Sequence, residues 1–295
     1  TVAHDPRLTQ APRGNACRRE FERIGTISKQ RGRVMRILMT NDDGINAPGL
    51  RVLTDIAAEI AGPEGEVWTV APAFEQSGVG HCISYTHPTM IAELGPRRFA
   101  AEGSPADCVI AGLYDVLKDN QPDLLLSGVN RGNNAAENTL YSGTIGACIE
   151  GALQGVRSIA LSQFYGPDNK DLEDPFEPAA VHGASTVRAL MNDTLWDNAD
   201  YKLFYNVNFP PVPAAAVKGM AATTQGFRLN TRFRAEAQTS PTGRKFLWVR
   251  GGPQHEPTAP GTDAAANLDG YISITPMRAD LTDYEMVDTL RDALK

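Results

Sequence analysis

Met35-Arg-Ile-Leu-Met-Thr-Asn-Asp-Asp-Gly-Ile-Asn-Ala-Pro-Gly49 decides how this chain is read. It opens as a short apolar strand and turns sharply at Asn41, Asp42, Asp43 and Gly44. Pro48 then stands at the threshold of a helix-period segment. A strand that ends in two adjacent carboxylates and runs directly into a helix is the first unit of a β-α-β alternation.

The alternation continues downstream. Strands are expected at 34–40, 66–70, 98–101, 123–127, 158–162 and 201–207, and helices at 49–60, 105–117, 143–153 and 178–191. This predicts an α/β fold, a three-layer, Rossmann-like and mostly parallel sheet with helices on both faces, its core spanning about 35–209. Beyond residue 210 the character changes. Two β-prone runs, 233–239 and 245–250, flank Ser240-Pro-Thr-Gly243 as a hairpin, followed by a late strand at 271–275 and a terminal helix at 284–294. A lone hairpin is only marginally stable, so this one is expected to pack on the body or on a second subunit.

Residues 1–34 read differently. They carry eight Arg or Lys against three Asp or Glu, and no hydrophobic run of a secretory leader. Met35 opens the first strand, so 1–34 is expected to be a non-structural extension of a single domain at 35–295; its Arg-rich character also overlaps with that of an organelle transit peptide. The chain's net charge of −7 leaves −12 for the body once the +5 of this stretch is removed. An acidic body argues against a nucleic-acid footprint, and no run approaches the roughly 20 apolar residues that span a bilayer. Cys17, Cys82, Cys108 and Cys148 lie far apart without zinc spacing, as reduced thiols of a cytoplasmic protein would.

Three polar loops follow predicted strands: 40–49, Ala71-Pro-Ala-Phe-Glu-Gln-Ser-Gly-Val-Gly80, and Ser127-Gly-Val-Asn-Arg-Gly-Asn-Asn134. Loops at the carboxyl ends of strands converge in an open α/β sheet. Asp42 and Asp43 repel one another, and a cation relieves that; Ser77 and Asn130 add neutral oxygen donors, a set suited to Mg²⁺ or Mn²⁺. The same Asn-Asp-Asp-Gly also satisfies a plain Asx-rich turn. Tyr141-Ser-Gly-Thr-Ile-Gly146 opens a helix, where hydroxyls and free N–H groups either hold phosphate or merely cap. His81 and His87 are either proton donors or ordinary loop histidines. Asp107 reads as a first-turn helix acid, and Glu137 and Asp263 remain open. A nucleotide-binding or sensor module that holds a metal-nucleotide without turning it over and a metal-dependent glycosyltransferase are the rival classes; neither a Walker A sequence nor a G-x-G-x-x-G fingerprint is present.

Taken in order, residues 40–50, 71–80, 103–109, 122–146 and 261–276 resemble the signature blocks of the SurE family of stationary-phase survival proteins. The resemblance runs from Met35 to the C-terminus. It implies a metal-dependent phosphatase acting on nucleoside 5′- and 3′-monophosphates, with short polyphosphate a further substrate. It implies one divalent cation per subunit on Asp42, Asp43, Ser77 and Asn130, catalysis at Asp42 and Asp43, and phosphate contacts from Asn41, Gly78, Asn134, Ser142, Gly143 and Thr144. It also implies a homodimer or homotetramer that uses the hairpin region. The chain departs from the family at Glu75-Gln76, where many members carry Arg, and at Ala136 and Asn138, where Gly and Asp are frequent; these bear on substrate preference.

Overall fold

The computed structural model describes residues 34–166 and 169–295, so the extension expected at 1–34, apart from Val34, lies outside the described residues, as does Cys17. In chain order the main elements are β1 (Arg36–Thr40), α1 (Pro48–Ala61), β2 (Glu66–Pro72), β3 (Ile91–Gly95), β4 (Arg98–Ala101), α2 (Pro105–Ala111), β5 (Leu124–Arg131) and α3 (Gly143–Leu153). They continue with β6 (Ser158–Gln163), α4 (Glu177–Leu190), β7 (Phe204–Phe209), β8 (Met220–Ala222), β9 (Arg234–Thr239), β10 (Lys245–Arg250), α5 (Asp263–Leu268), β11 (Ile272–Met277) and α6 (Tyr284–Ala293).

Nine strands form one sheet in the order β3-β4-β2-β1-β5-β6-β7-β11-β8, parallel from β4 through β7. The period of two along β1 and β5 builds both faces. Ile37, Met39, Leu124 and Leu126 point into a core closed by Leu50, Leu53 and Ile56 of α1 and by Ala184 and Val187 of α4. Leu38 and Leu125 point the other way, against Cys108 and Val109 of α2 and Ala147 of α3. Central strands buried on both faces are continuous apolar runs, and for that reason they stand out in the sequence.

The structure differs from expectation at the margins. The sheet does not end near residue 209: β11 adds antiparallel to β7, and β8 adds parallel to β11. The helix expected over 105–117 changes pitch after Ala111 into a π turn at Gly112–Val116, and Gln121 Nε2 donates to Leu113 O at its end (2.8 Å). The edge strand β3 pairs antiparallel with β4 through a register shift between Glu93 and Gly95. The hairpin β9–β10 matches its expected bounds, forms a sheet of its own and is exposed along both strands.

β5 is the strand that carries Asn130, and its end is bent. The pairing with β6 skips from Ser127–Ala160 to Asn130–Ser162, so the strand bulges. Gly128 sits in the bulge at φ 136°, and a Cβ there would stand 2.2 Å from Leu161 O. Neither the backbone nor the space admits a side chain. Gly128→Ala should therefore cost roughly 3 kcal/mol or more of stability, which chemical denaturation measures directly; a loss below about 1 kcal/mol would mean that the bulge yields freely.

Candidate active site

β1 lies at the centre of the sheet. The chain leaves it for β2 on one side, while β5, β6 and β7 build outward on the other, so the loops after β1 and β5 part and open a crevice at their carboxyl ends. Asp42 and Asp43 follow β1 immediately. The loop after β2 is tied to them by Gln76 N donating to Asp42 O (2.7 Å), and the end of β5 by Arg131 N donating to Asp43 Oδ2 (3.0 Å). Ser77 and Asn130 are each one residue from such a link. Ser77 Oγ donates to Glu75 Oε1 (3.0 Å), and Asn130 Nδ2 donates to Gly132 O (2.9 Å), which leaves Asn130 Oδ1 as the oxygen available to a ligand. The structure thus brings Asp42, Asp43, Ser77 and Asn130 to one end of the sheet.

The start of α3 presses on Asp42 from the other side. Thr144 Oγ1 donates to Asp42 Oδ1 (2.6 Å), and a Cβ on Gly143 would stand 2.8 Å from Asp42 Cβ, so only glycine lets the helix come this close. Ser142 is the N-cap, its Oγ accepting from Ile145 N (3.1 Å). Asp42 therefore already occupies part of the electropositive helix terminus. Burial nevertheless pushes its carboxyl up to about 6; the Thr144 hydroxyl opposes that rise and the Asp43 charge adds to it. Asp43 is also raised, by burial first and by Glu75, while the Arg131 N–H and charge hold it down.

Other residues singled out in the sequence have different places. Asn41 Nδ2 donates to Gly44 O (2.9 Å) and shapes the turn, while its Oδ1 is buried without a partner. Gly78 lies in the exposed loop beside Ser77. Asn134 is engaged within the protein: its Nδ2 donates to Ser162 Oγ (2.8 Å) and its N–H to Asn208 Oδ1 (2.7 Å). His81 runs along α3 to Glu150 (Nε2 to Oε2, 2.7 Å), and His87 meets only its neighbour Thr86 at the surface. Asp107 forms a capping box with Ser104.

Asp263 and Arg228 hold the 133–138 loop, the second through Glu137. Asp263 Oδ2 accepts from Ala136 N (3.0 Å) and its Oδ1 from Gly226 N (2.9 Å). Glu137 binds Arg228, which is 1 % exposed and also donates to Ala135 O and Asn133 Oδ1. Arg228 carries no signal in the sequence, because nothing in its neighbourhood marks an arginine as buried.

The donor set fits a hard divalent cation. Two carboxylates held above their ordinary range lie beside neutral oxygens, and no Lys or Arg side chain forms an ion pair with either among the described residues. No group of three or more His, Cys, Asp or Glu forms a metal cluster among the described residues, so the site depends on Ser and Asn oxygens to complete it.

The model of the family described as Survival protein SurE matches residues 37–232. The chain is 69% identical over 256 residues to a protein named 5'-nucleotidase SurE from Cereibacter sphaeroides, covering 87% of this chain and 98% of that one. It is 67% identical over 260 residues to a protein of the same name from Ruegeria pomeroyi, covering 88% and 100%. The crystal structure of SurE protein from Aquifex aeolicus superposes with a TM-score of 0.72 at 32% identity, over 88% of this chain and all of that one. With its aspartate pair at the end of the first strand, and by sequence and by fold alike, this chain belongs to the SurE family.

Proposed function

We propose that this chain is a metal-dependent 5′-nucleotidase that releases phosphate from nucleoside monophosphates at Asp42 and Asp43. The family and the name carried by relatives about two-thirds identical over nearly their whole length support a phosphomonoester hydrolase. The observation that carries the site is the convergence of three strand-end loops and one helix start on the two carboxylates.

Asp42, Asp43, Ser77 Oγ and Asn130 Oδ1 would hold one Mg²⁺ or Mn²⁺. When bound, such an ion supplies positive charge that offsets the phosphate's repulsion from an acidic chain. Thr144 fixes the orientation of Asp42. Ser142 and Asn134 use their side chains within the protein and so act by positioning. Direct phosphate contacts then fall to the N–H groups at Gly143 and in the Gly78 loop, where a helix start and a turn favour anions. The same contacts suit a 3′-phosphate and the end of a short polyphosphate. No helix among the described residues is long and apolar enough to cross a membrane; we place the protein in the cytoplasm.

Asp42→Asn and Asp43→Asn each remove one of two charged ligands at nearly constant volume. Mn²⁺ affinity measured by calorimetry should fall at least tenfold, and turnover of a nucleoside 5′-monophosphate about a hundredfold or more, with Ser77→Ala milder in both. Normal binding and activity in both Asp variants would remove the site.

The metal-free protein should show the cost of Asp42. A carboxyl whose folded value lies near 6, above its unfolded value, costs nothing at pH 3 and takes stability away as pH rises from about 4 to 6. The penalty above pH 6 is on the order of 3 kcal/mol. In chelator, Asp42→Asn should melt above the parent at pH 7, and the gap should close toward pH 4; a gap independent of pH would contradict this.

β10 is exposed on both faces, with Phe246 at 52 % and Trp248 at 58 % on one and Leu247 at 69 % on the other, and is covered in our reading by a second subunit, giving a homodimer or homotetramer. Light scattering at micromolar concentration should return at least twice the 31.8 kDa chain mass. A monomer would refute it.

A further inference from the structure

A cavity of about 390 Å³ lies between α1 and the β2–β4 side of the sheet, and Asp42, Asp43, Ser77 and Asn130 are not among its lining residues. Arg51, Arg97 and Arg98 line it, and no acidic residue does. In a chain of net charge −7, three guanidinium groups around one hollow are an anomaly. Arg97 shares Glu66 with Arg36 and lies over the Trp68 ring. Arg51 and Arg98 have no carboxylate partner among the described residues; Arg98 Nη2 donates to Ile45 O (2.9 Å) and Asn46 Oδ1 (3.0 Å), which leaves its other N–H groups free.

Two further features point to an anion. The helix start beside the cavity is uncompensated: Ala47, at its N-cap, offers no side-chain bond, and no acid stands in its first turn. Thr69, 8 % exposed, is also in the lining, and its hydroxyl makes no hydrogen bond among the described residues. Leu50, Val67 and Pro96 give the wall an apolar part, beside the polar Asn46 and Thr54. A hollow of this size falls in the range of small-molecule sites, roughly 300–1,000 Å³, and exceeds what one inorganic phosphate fills.

We propose that this cavity is a second binding site, for a phosphate ester of a small organic molecule, with the phosphate on Arg51 and Arg98 and the organic part against Leu50, Val67 and Pro96. The ligand is held by charge-assisted hydrogen bonds from the planar guanidinium forks. Arg98 also grips Ile45 and Asn46, two and three residues past Asp43, so an occupant sits one side chain away from the aspartate turn. This goes beyond the nucleotidase reading, and its test reads binding, not turnover.

The experiment uses the full chain in chelator, with AMP and inorganic phosphate as probes in calorimetry. Arg51 is exposed on α1, so Arg51→Glu and Arg51→Lys should fold with unchanged melting temperatures. Arg51→Lys, which keeps the charge and loses the fork, should bind AMP about threefold more weakly than the parent, and Arg51→Glu at least tenfold more weakly. Inorganic phosphate should bind the parent at least tenfold more weakly than AMP. Equal AMP affinity in Arg51→Glu would place the binding in the aspartate crevice and overturn the proposal, as would the absence of AMP binding to the parent. Equal affinity for AMP and phosphate would overturn the apolar half of the site.

Discussion

Asp42 is a carboxylate that is 4 % exposed, and much of the surrounding architecture exists to tolerate it. Desolvation favours its neutral form, while its position at the end of the central strand gives it no lateral room. The hydroxyl of Thr144 and the electropositive start of α3 meet it from one side, and the backbone of Gln76 draws the next loop to it from another. The small residues of α3 follow from this. A bulkier first turn would lift the helix off the sheet and leave the charge unsupported.

The support reaches well beyond the crevice. The 133–138 loop returns from β5 toward α3 and is clamped by Asp263 and by the buried Arg228, which pairs with Glu137 of the loop; both clamping residues come from the C-terminal half of the chain. Behind it, Asn134, Ser162, Asn206 and Asn208 form a continuous buried hydrogen-bonded set. Buried polar networks of this kind are costly unless satisfied, and when satisfied they fix one arrangement. The segment that precedes the hairpin is thus mechanically joined to the loop that frames the aspartates.

Most of the sheet was legible because parallel strands buried on both faces are uninterrupted apolar runs, and 124–126 and 158–161 could hardly be anything else. β3, β8 and α5 were not legible. They are short, β3 and β8 lie at the sheet's edges largely exposed, and they carry no period for a sequence to display. The candidate donors could be read because Asp42, Asp43 and Ser77 follow strands and Asn130 stands near the end of one. The division of labour among Asn134, Ser142 and Thr144 could not, since capping, network and ligand roles differ only in where a side chain turns. Arg228 defeated sequence reading altogether, because arginine is among the residues least expected inside.

The two ends of the nine-stranded sheet have a bearing on solubility. β3 offers a bent edge, with an irregular register at Glu93 and a Gly-Pro turn directly after it, and β8 offers only three residues. Neither presents the long, flat row of open N–H and C=O groups that templates another chain. Crowded copies of this protein therefore find little to extend at either end of the main sheet, and the separate β9–β10 sheet is the longer open edge that a partner must cover.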